Sequence, residues 1–414
     1  MPDDGAMRTV TPQVLTDRLA ALPANPRAVV SGNFAHPTVL VDALDAAQPA
    51  YRLFVLNAQA ALPDRDGVVW ETPFVGPGMR GGQRLRYLPC RLSQVPLLFA
   101  GPVAPDVVLL HTSAVAGDTV SLGVEVNILP AAVEAAHARG ALVVAQVNRA
   151  MPYTFGDGQL NIADIDLAVE VDLALPSPAA ATPDPVAAVI GERVAGMVDN
   201  GATLQMGIGG VPDAVAACLV ARRGLRVWSE MVSDGVLALE HAGALDGDQA
   251  VVASFLFGSP ALYEWVDRNP RLRVLRTEKV NDPAAIARHR AMVSVNTALT
   301  VDLYGQANAS RVHGRIYSGF GGQTDFIVGA LHAPGGQALM ALRSWHPKAD
   351  TSTIVGRLEE PVTSFQQTAV VTEQGCAHLW GCAQHEQVDH LIAHAAHPAA
   401  RDHLRAEAAR LGLA

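Results

Sequence analysis

Aromatic residues are scarce, only 5% of 414 positions, although half of the chain is apolar. The apolar excess therefore lies in Ala, Val and Leu, the residues expected where helices pack on buried parallel strands. Long hydrophobic runs are missing as well: Val103–Leu110 is interrupted by Pro105 and Asp106, well short of the ~20 residues that a membrane span needs. Met1–Thr11 carries Asp3 and Asp4 and has no apolar core, so it does not read as a secretory signal. Four cysteines, Cys90, Cys218, Cys376 and Cys382, are too few for a disulfide framework in so long a chain. A cytoplasmic setting with reduced thiols is the expectation. Positive charge is in deficit, the formal net charge being -10, which argues against broad binding to nucleic acid or to an anionic membrane. A local basic patch for phosphates remains open, with Arg80, Arg84 and Arg86 as its members.

What is present is strand and helix in alternation. A chain of this length predicts two domains. Val107–His111 and Leu142–Val147 have strand length, and the Ala-rich Pro130–Arg139 between them reads as a helix, giving a βαβ unit. The segment Leu175–Pro185, LPSPAAATPDP, reads as a linker, so the predicted domains are residues 1–180 and 186–414. After it the alternation restarts with a helix over Val186–Val198, a strand at Thr203–Met206 and a helix over Pro212–Ala221. Gly32 precedes Pro37 by five residues and Gly207 precedes Pro212 by five, so both halves place a glycine turn between strand and helix. That is the pattern of a tandem duplication, although glycine and proline punctuate most α/β turns.

Two glycine turns and one Cys/His group carry possible chemistry. Gly207-Ile208-Gly209-Gly210 follows a strand and opens a helix, where backbone N–H groups can bind a phosphate or an oxyanion. Pro212 stands where a dinucleotide fold wants its third glycine, which argues against a Rossmann cofactor site. In Ser318–Phe326, SGFGGQTDF, three glycines let the backbone approach a ligand and Gln323 and Asp325 add polar groups, unless the segment is only a tight loop. Cys376, His378, Cys382 and His385 imitate a zinc site, but their spacing is not that of a finger and Leu379 and Trp380 suggest a packed turn, so no metal is expected.

The ordered segments GATLQMGIGGVPDAV, SEMVSDGVLALEHAG, VNDP, MVSVNTALTVDLYGQ, RIYSGFGGQTDF, VVTEQG and AAHPAARDHL together resemble the acetyl-CoA hydrolase/transferase family, particularly its 4-hydroxybutyrate CoA-transferase branch. YLPCRLSQVPLLF, SLGVEV, AQVNRAMPYTFGD and DIDLAVEVD extend the resemblance into the first half. It implies two similar α/β lobes of the CoA-transferase fold, with an acyl-CoA in the cleft between them as substrate and no further cofactor. It also implies a catalytic glutamate from the second lobe and a homodimer or a partner subunit. The binding residues implied are Gly207, Gly209, Gly210, Asn296, Gly319, Gly321, Gly322, Gln323 and Asp325.

Aligning the family pattern S-x-N-x-A-x-E-V-D-L with Ser294–Leu303 puts Thr300 at a glutamate position taken as catalytic. The family's carboxylate forms an acyl-glutamyl anhydride and then a glutamyl-CoA thioester, both activated; a threonine would give an ordinary ester. Asp302, two residues further along a strand, lies roughly 6–7 Å away. Glu230 and Glu373 match acids of relatives, and with His111 and Asp302 they are candidate bases. Departures at Ile327-Val328 and Thr351–Thr353, where relatives carry arginine, point to altered recognition. The expectation is an enzyme shifted from CoA exchange toward thioester hydrolysis or acyl transfer, with a silent CoA-binding subunit as the alternative and ordinary CoA exchange as the third reading.

Overall fold

A computed structural model describes residues 7–178 and 184–413. The chain divides into two compact units: the first runs to Pro178 and also takes in Val252–Val280, and the second takes up the chain between, to Val251, and continues from Asn281. A split into residues 1–180 and 186–414 therefore misplaces one insertion. The reason is local pairing: Val274 donates its N–H to Phe155 and accepts from Asp157, and Ser254 accepts from the N–H groups of Val126 and Asn127. These bonds stitch the inserted segment to the first unit. Of the linker reading, Asp184 and Pro185 cap and open a helix, while 179–183 lie outside the described residues.

The first unit is built on an eight-stranded sheet. Its spatial order is Arg8–Thr9, Leu167–Val171, Leu142–Asn148, Val107–Thr112, Arg27–Val30, Tyr51–Val55, Val68–Thr72 and Leu85–Tyr87, and every neighbouring pair is parallel. Val107–Thr112 is buried at every position. A strand covered on both faces reads as a near-continuous apolar run, here Val107–Leu110, and not as alternation. The expected βαβ unit is present: helix Leu129–His137 connects Val107–Thr112 to its parallel neighbour Leu142–Asn148. Strand order reverses direction between Arg27–Val30 and Val107–Thr112, which makes that gap the topological switch point.

The second unit has a six-stranded sheet, in the order Arg226–Val227, Thr203–Met206, Met292–Asn296, Gln337–Ala341, Ala369–Thr372 and Gly375–His378. All pairs are parallel except the last. Helix Pro185–Gly196 begins at N-cap Asp184, whose side chain accepts from the Val186 N–H. It lies so close to helix Gly210–Cys218 that a Cβ on Gly191 would sit 2.7 Å from the carbonyl carbon of Ala214. A separate three-stranded sheet holds Thr300–Asp302 between Ala307–Asn308 and Ile354–Val355. Among the described residues no helix is long and apolar enough to cross a membrane.

Candidate active site

Glu230 sits in the turn after strand Arg226–Val227, and its carboxylate is met from two directions in the second unit. The Asn281 amide donates to Glu230 Oε2 at 2.8 Å. Gly322, the N-cap of helix Gln323–His332, comes so close that a Cβ there would lie 1.8 Å from Glu230 Oε2 and 2.1 Å from Asn281 Nδ2. Any side chain at 322 would have to push the Glu230 carboxylate and the Asn281 amide out of these positions. The glycine turn thus serves first to bring backbone against a carboxylate, with Gly321 in the left-handed region at φ 55°.

The carboxyl group of Glu230 is pushed up to about 7. Burial is the main cause, and the charge of Asp325 adds to it, while the hydrogen bonds from Asn281 and the Gly322 N–H work in the opposite direction. Glu230 nevertheless keeps intermediate exposure. A carboxylate that is desolvated and oriented is the state a nucleophile requires.

In the same unit a second group of polar residues forms a fixed lattice. Ser294 Oγ donates to Gln205 Oε1 at 2.7 Å, and the Asn296 amide donates to Ser294 Oγ at 2.8 Å and to Gln205 Oε1 at 3.2 Å. The register Gln205 opposite Ser294 on adjacent parallel strands makes this possible. Gln323 donates to the Thr297 carbonyl at 3.0 Å. Asp325 is buried, 1% exposed, in the first turn of its helix. At the other glycine turn, Gly209 has φ 114°, and added Cβ atoms on Gly209 and Gly210 would meet nothing within 4 Å. Space, not crowding, is what these two glycines leave.

The remaining sequence candidates fall elsewhere. Thr300 starts the separate three-stranded sheet, opposite Asn308, and belongs to neither turn that touches Glu230. Asp302 is buried and its carboxylate accepts from the N–H groups of Tyr304 (3.0 Å), Gln306 (2.9 Å) and Leu358 (3.1 Å), so it organises a turn. Glu373 accepts from the N–H and hydroxyl of Ser344; burial opposes ionisation there, but these bonds outweigh it and hold the carboxyl below its usual range. His111 is in the first unit, buried, with its Nε2 3.0 Å from the Asn148 amide; burial brings it down to about 4. The arginine patch is largely paired: Arg84 with Asp64 and Asp66, Arg86 with Glu71. Among the described residues no group of three or more His, Cys, Asp or Glu side chains is arranged to hold a metal.

Two residues of these polar groups are not singled out by sequence reasoning. Asn281 is visible there only as part of V-N-D-P, where Asp282 caps the next helix through the Ala284 N–H; a fully buried Asn beside such a cap is the available signal. Gln205 lies within the apolar strand before the glycine turn, a polar residue with 4% exposure.

Family models for the acetyl-CoA hydrolase/transferase N-terminal and C-terminal domains match residues 59–178 and 258–408. The chain belongs to the acetyl-CoA hydrolase/transferase family. The 4-hydroxybutyrate coenzyme A transferase of Clostridium kluyveri is 37% identical over 336 residues, covering 78% of this chain and 77% of that one. Among solved structures, RipA from Yersinia pestis matches with a TM-score of 0.91 at 26% identity, covering 98% of both chains. The 4-hydroxybutyrate CoA-transferase from Porphyromonas gingivalis matches with a TM-score of 0.80 at 28% identity, again covering 98% of both. This acetyl-CoA hydrolase/transferase chain thus has the CoA-transferase type of α/β fold expected from its motifs, and it is an enzyme of the acyl-CoA hydrolase or transferase class.

Proposed function

We propose that the protein is an acyl-CoA:carboxylate CoA-transferase whose nucleophile is Glu230. The observation that carries this reading is the carboxylate itself: buried on most sides, clamped by Asn281 and Gly322 and raised to about 7. Thr300 begins a separate three-stranded sheet, and in this reading it has no part as nucleophile. The expectation of hydrolysis rests on Thr300 occupying the nucleophile's position, and with Glu230 in that role ordinary exchange becomes the better reading.

In the proposed reaction, Glu230 attacks the thioester carbonyl and expels CoA thiolate, forming an acyl-glutamyl anhydride. The thiolate then attacks the Glu230 carbonyl, forming a glutamyl-CoA thioester and releasing the first carboxylate. A second carboxylate takes the same path in reverse and leaves as its CoA ester. Backbone N–H groups at the Gly207–Gly210 turn and at Gly322 are the candidate donors to the developing oxyanions. Desolvation makes the Glu230 carboxylate more basic and hence more nucleophilic, with the consequence that the rate rises with pH through about 7.

The test is a panel of short acyl-CoAs incubated with and without acetate and other carboxylates, following free thiol and exchanged CoA ester. Carboxylate-dependent exchange that vanishes in Glu230→Gln supports the proposal. Thiol release without exchange points to hydrolysis or transfer to another acceptor, and binding with no turnover to a silent subunit; either outcome refutes exchange.

A further inference from the structure

A chain of buried side-chain hydrogen bonds at the carboxyl edge of the first sheet has no part in the chemistry above. The Asn57 amide donates to Asn33 Oδ1 at 2.6 Å, the Asn33 amide donates to Glu125 Oε2 at 2.5 Å, and the Asn127 amide donates to Glu125 Oε1 at 3.1 Å. Glu125 and Asn127 are fully buried, and Asn33 and Asn57 are 2% and 7% exposed. The three asparagines are also left-handed, at φ 46°, 50° and 33° for Asn33, Asn57 and Asn127, an uncommon backbone state for residues with a side chain.

These residues tie together the loops that follow two neighbouring strands of the sheet and the loop after Thr119–Ser121, a strand of a separate two-stranded sheet. Asn33 lies beyond Arg27–Val30, Asn57 beyond Tyr51–Val55, and Glu125 and Asn127 in the loop after Thr119–Ser121. The loops are stacked backbone to backbone: the Asn33 N–H reaches the Leu56 carbonyl at 3.1 Å, and the Gly78 N–H reaches the Ala58 carbonyl at 2.9 Å. A Cβ on Gly32, Gly76 or Gly78 would sit 2.0, 2.2 or 1.8 Å from the carbonyl oxygens of Leu56, Ala58 and Ala60. This shelf adjoins the switch point of a parallel sheet, the place where open α/β sheets present loops to a ligand.

We infer that Glu125 is a positioning residue: it fixes the shape of this shelf, and the shelf is the first unit's contribution to acyl-CoA binding. The inference rests on the proposed transferase function only for the identity of the ligand. Polarity gives the relay a signature. Both oxygens of Glu125 accept from side-chain amides, so in Glu125→Gln the new carbonyl satisfies one of them and the new NH2 faces the other. Moving the carboxylate one link along, by adding Asn33→Asp to Glu125→Gln, restores donor to acceptor throughout. The amide introduced at 125 then donates to the carboxylate introduced at 33, that carboxylate still accepts from Asn57, and the carbonyl introduced at 125 still accepts from Asn127.

The experiment measures acetyl-CoA affinity by calorimetry and the KM and kcat of exchange for wild type, Glu125→Gln and the paired variant, each normalised to folded protein. Glu125→Gln is expected to weaken acetyl-CoA binding and to raise KM by on the order of 10-fold, the scale of one buried amide left facing another, and the paired variant to recover most of the loss. Unchanged affinity and KM in folded Glu125→Gln overturns the inference, as does a paired variant no better than the single one. Wild type that binds acetyl-CoA without carboxylate-dependent exchange overturns the transferase reading alone, because the affinity comparison still reads Glu125.

Discussion

Replacing Glu230 by Gln should abolish turnover and, at alkaline pH, make the protein more stable. Its carboxyl rises from an ordinary 4.5 to about 7 on folding. The folded pKa is therefore above the unfolded one, so the contribution of Glu230 to stability is fully present below about 4.5 and is lost as pH climbs through about 7. The difference of about 2.5 between those values, at 1.36 kcal/mol each, corresponds to roughly 3 kcal/mol. Glu230 as a residue keeps intermediate exposure, and solvent screening reduces this to about 2 kcal/mol. Gln keeps the shape and can place its carbonyl where Oε2 accepts from Asn281, without the charge. Denaturant unfolding of both proteins from about pH 5 to about pH 8.5 should give curves within about 1 kcal/mol at the acid end. They should diverge to about 2 kcal/mol in favour of Glu230→Gln above about pH 8. A stability difference that does not vary with pH would refute the claim that burial of Glu230 is what perturbs it.

Gly322→Ala should reduce exchange by at least about 100-fold, since the new methyl would have to displace Glu230 Oε2 from 1.8 Å; kinetics on folded protein checks this. Thr300→Ala and Thr300→Glu should both leave kcat within about twofold of wild type, the spread expected for a site away from the chemistry. Asp302→Ala should lose roughly 2–4 kcal/mol of unfolding free energy in denaturant titration, because three backbone N–H groups lose their acceptor. The rate of exchange should fall as pH drops below about 7, with the midpoint belonging to Glu230.

Much of the fold is legible because periodicity and punctuation are local signals. The strand expected at Thr203–Met206 has those bounds in the structure, and the expected Val107–His111 and Leu142–Val147 are each short by one residue. Helix Gly210–Cys218 starts two residues before Pro212, which the missing proline N–H permits within a first turn. The inserted segment Val252–Val280 is not legible, because membership in a unit depends on pairings such as Val274 with Phe155 that span more than a hundred residues.

The site is legible in its parts and not in its arrangement. Glu230, Gly322 and Asp325 all stand out in the sequence, yet the alignment of Thr300 with a family glutamate places Glu230 among the supporting acids, whereas the proposed function makes it the nucleophile. One-dimensional spacing cannot tell which carboxylate meets a glycine turn nearly a hundred residues away. Burial and the missing Cβ at 322 can.

The most direct test is to incubate the wild-type enzyme with acetyl-CoA alone, trap the enzyme-bound thioester by reduction with borohydride, and map the modified peptide by mass spectrometry. The account predicts reduction of a glutamyl thioester at Glu230 in the segment around Ser229–Met231. Modification at Thr300 or at another carboxylate, with Glu230 unmodified, would contradict it.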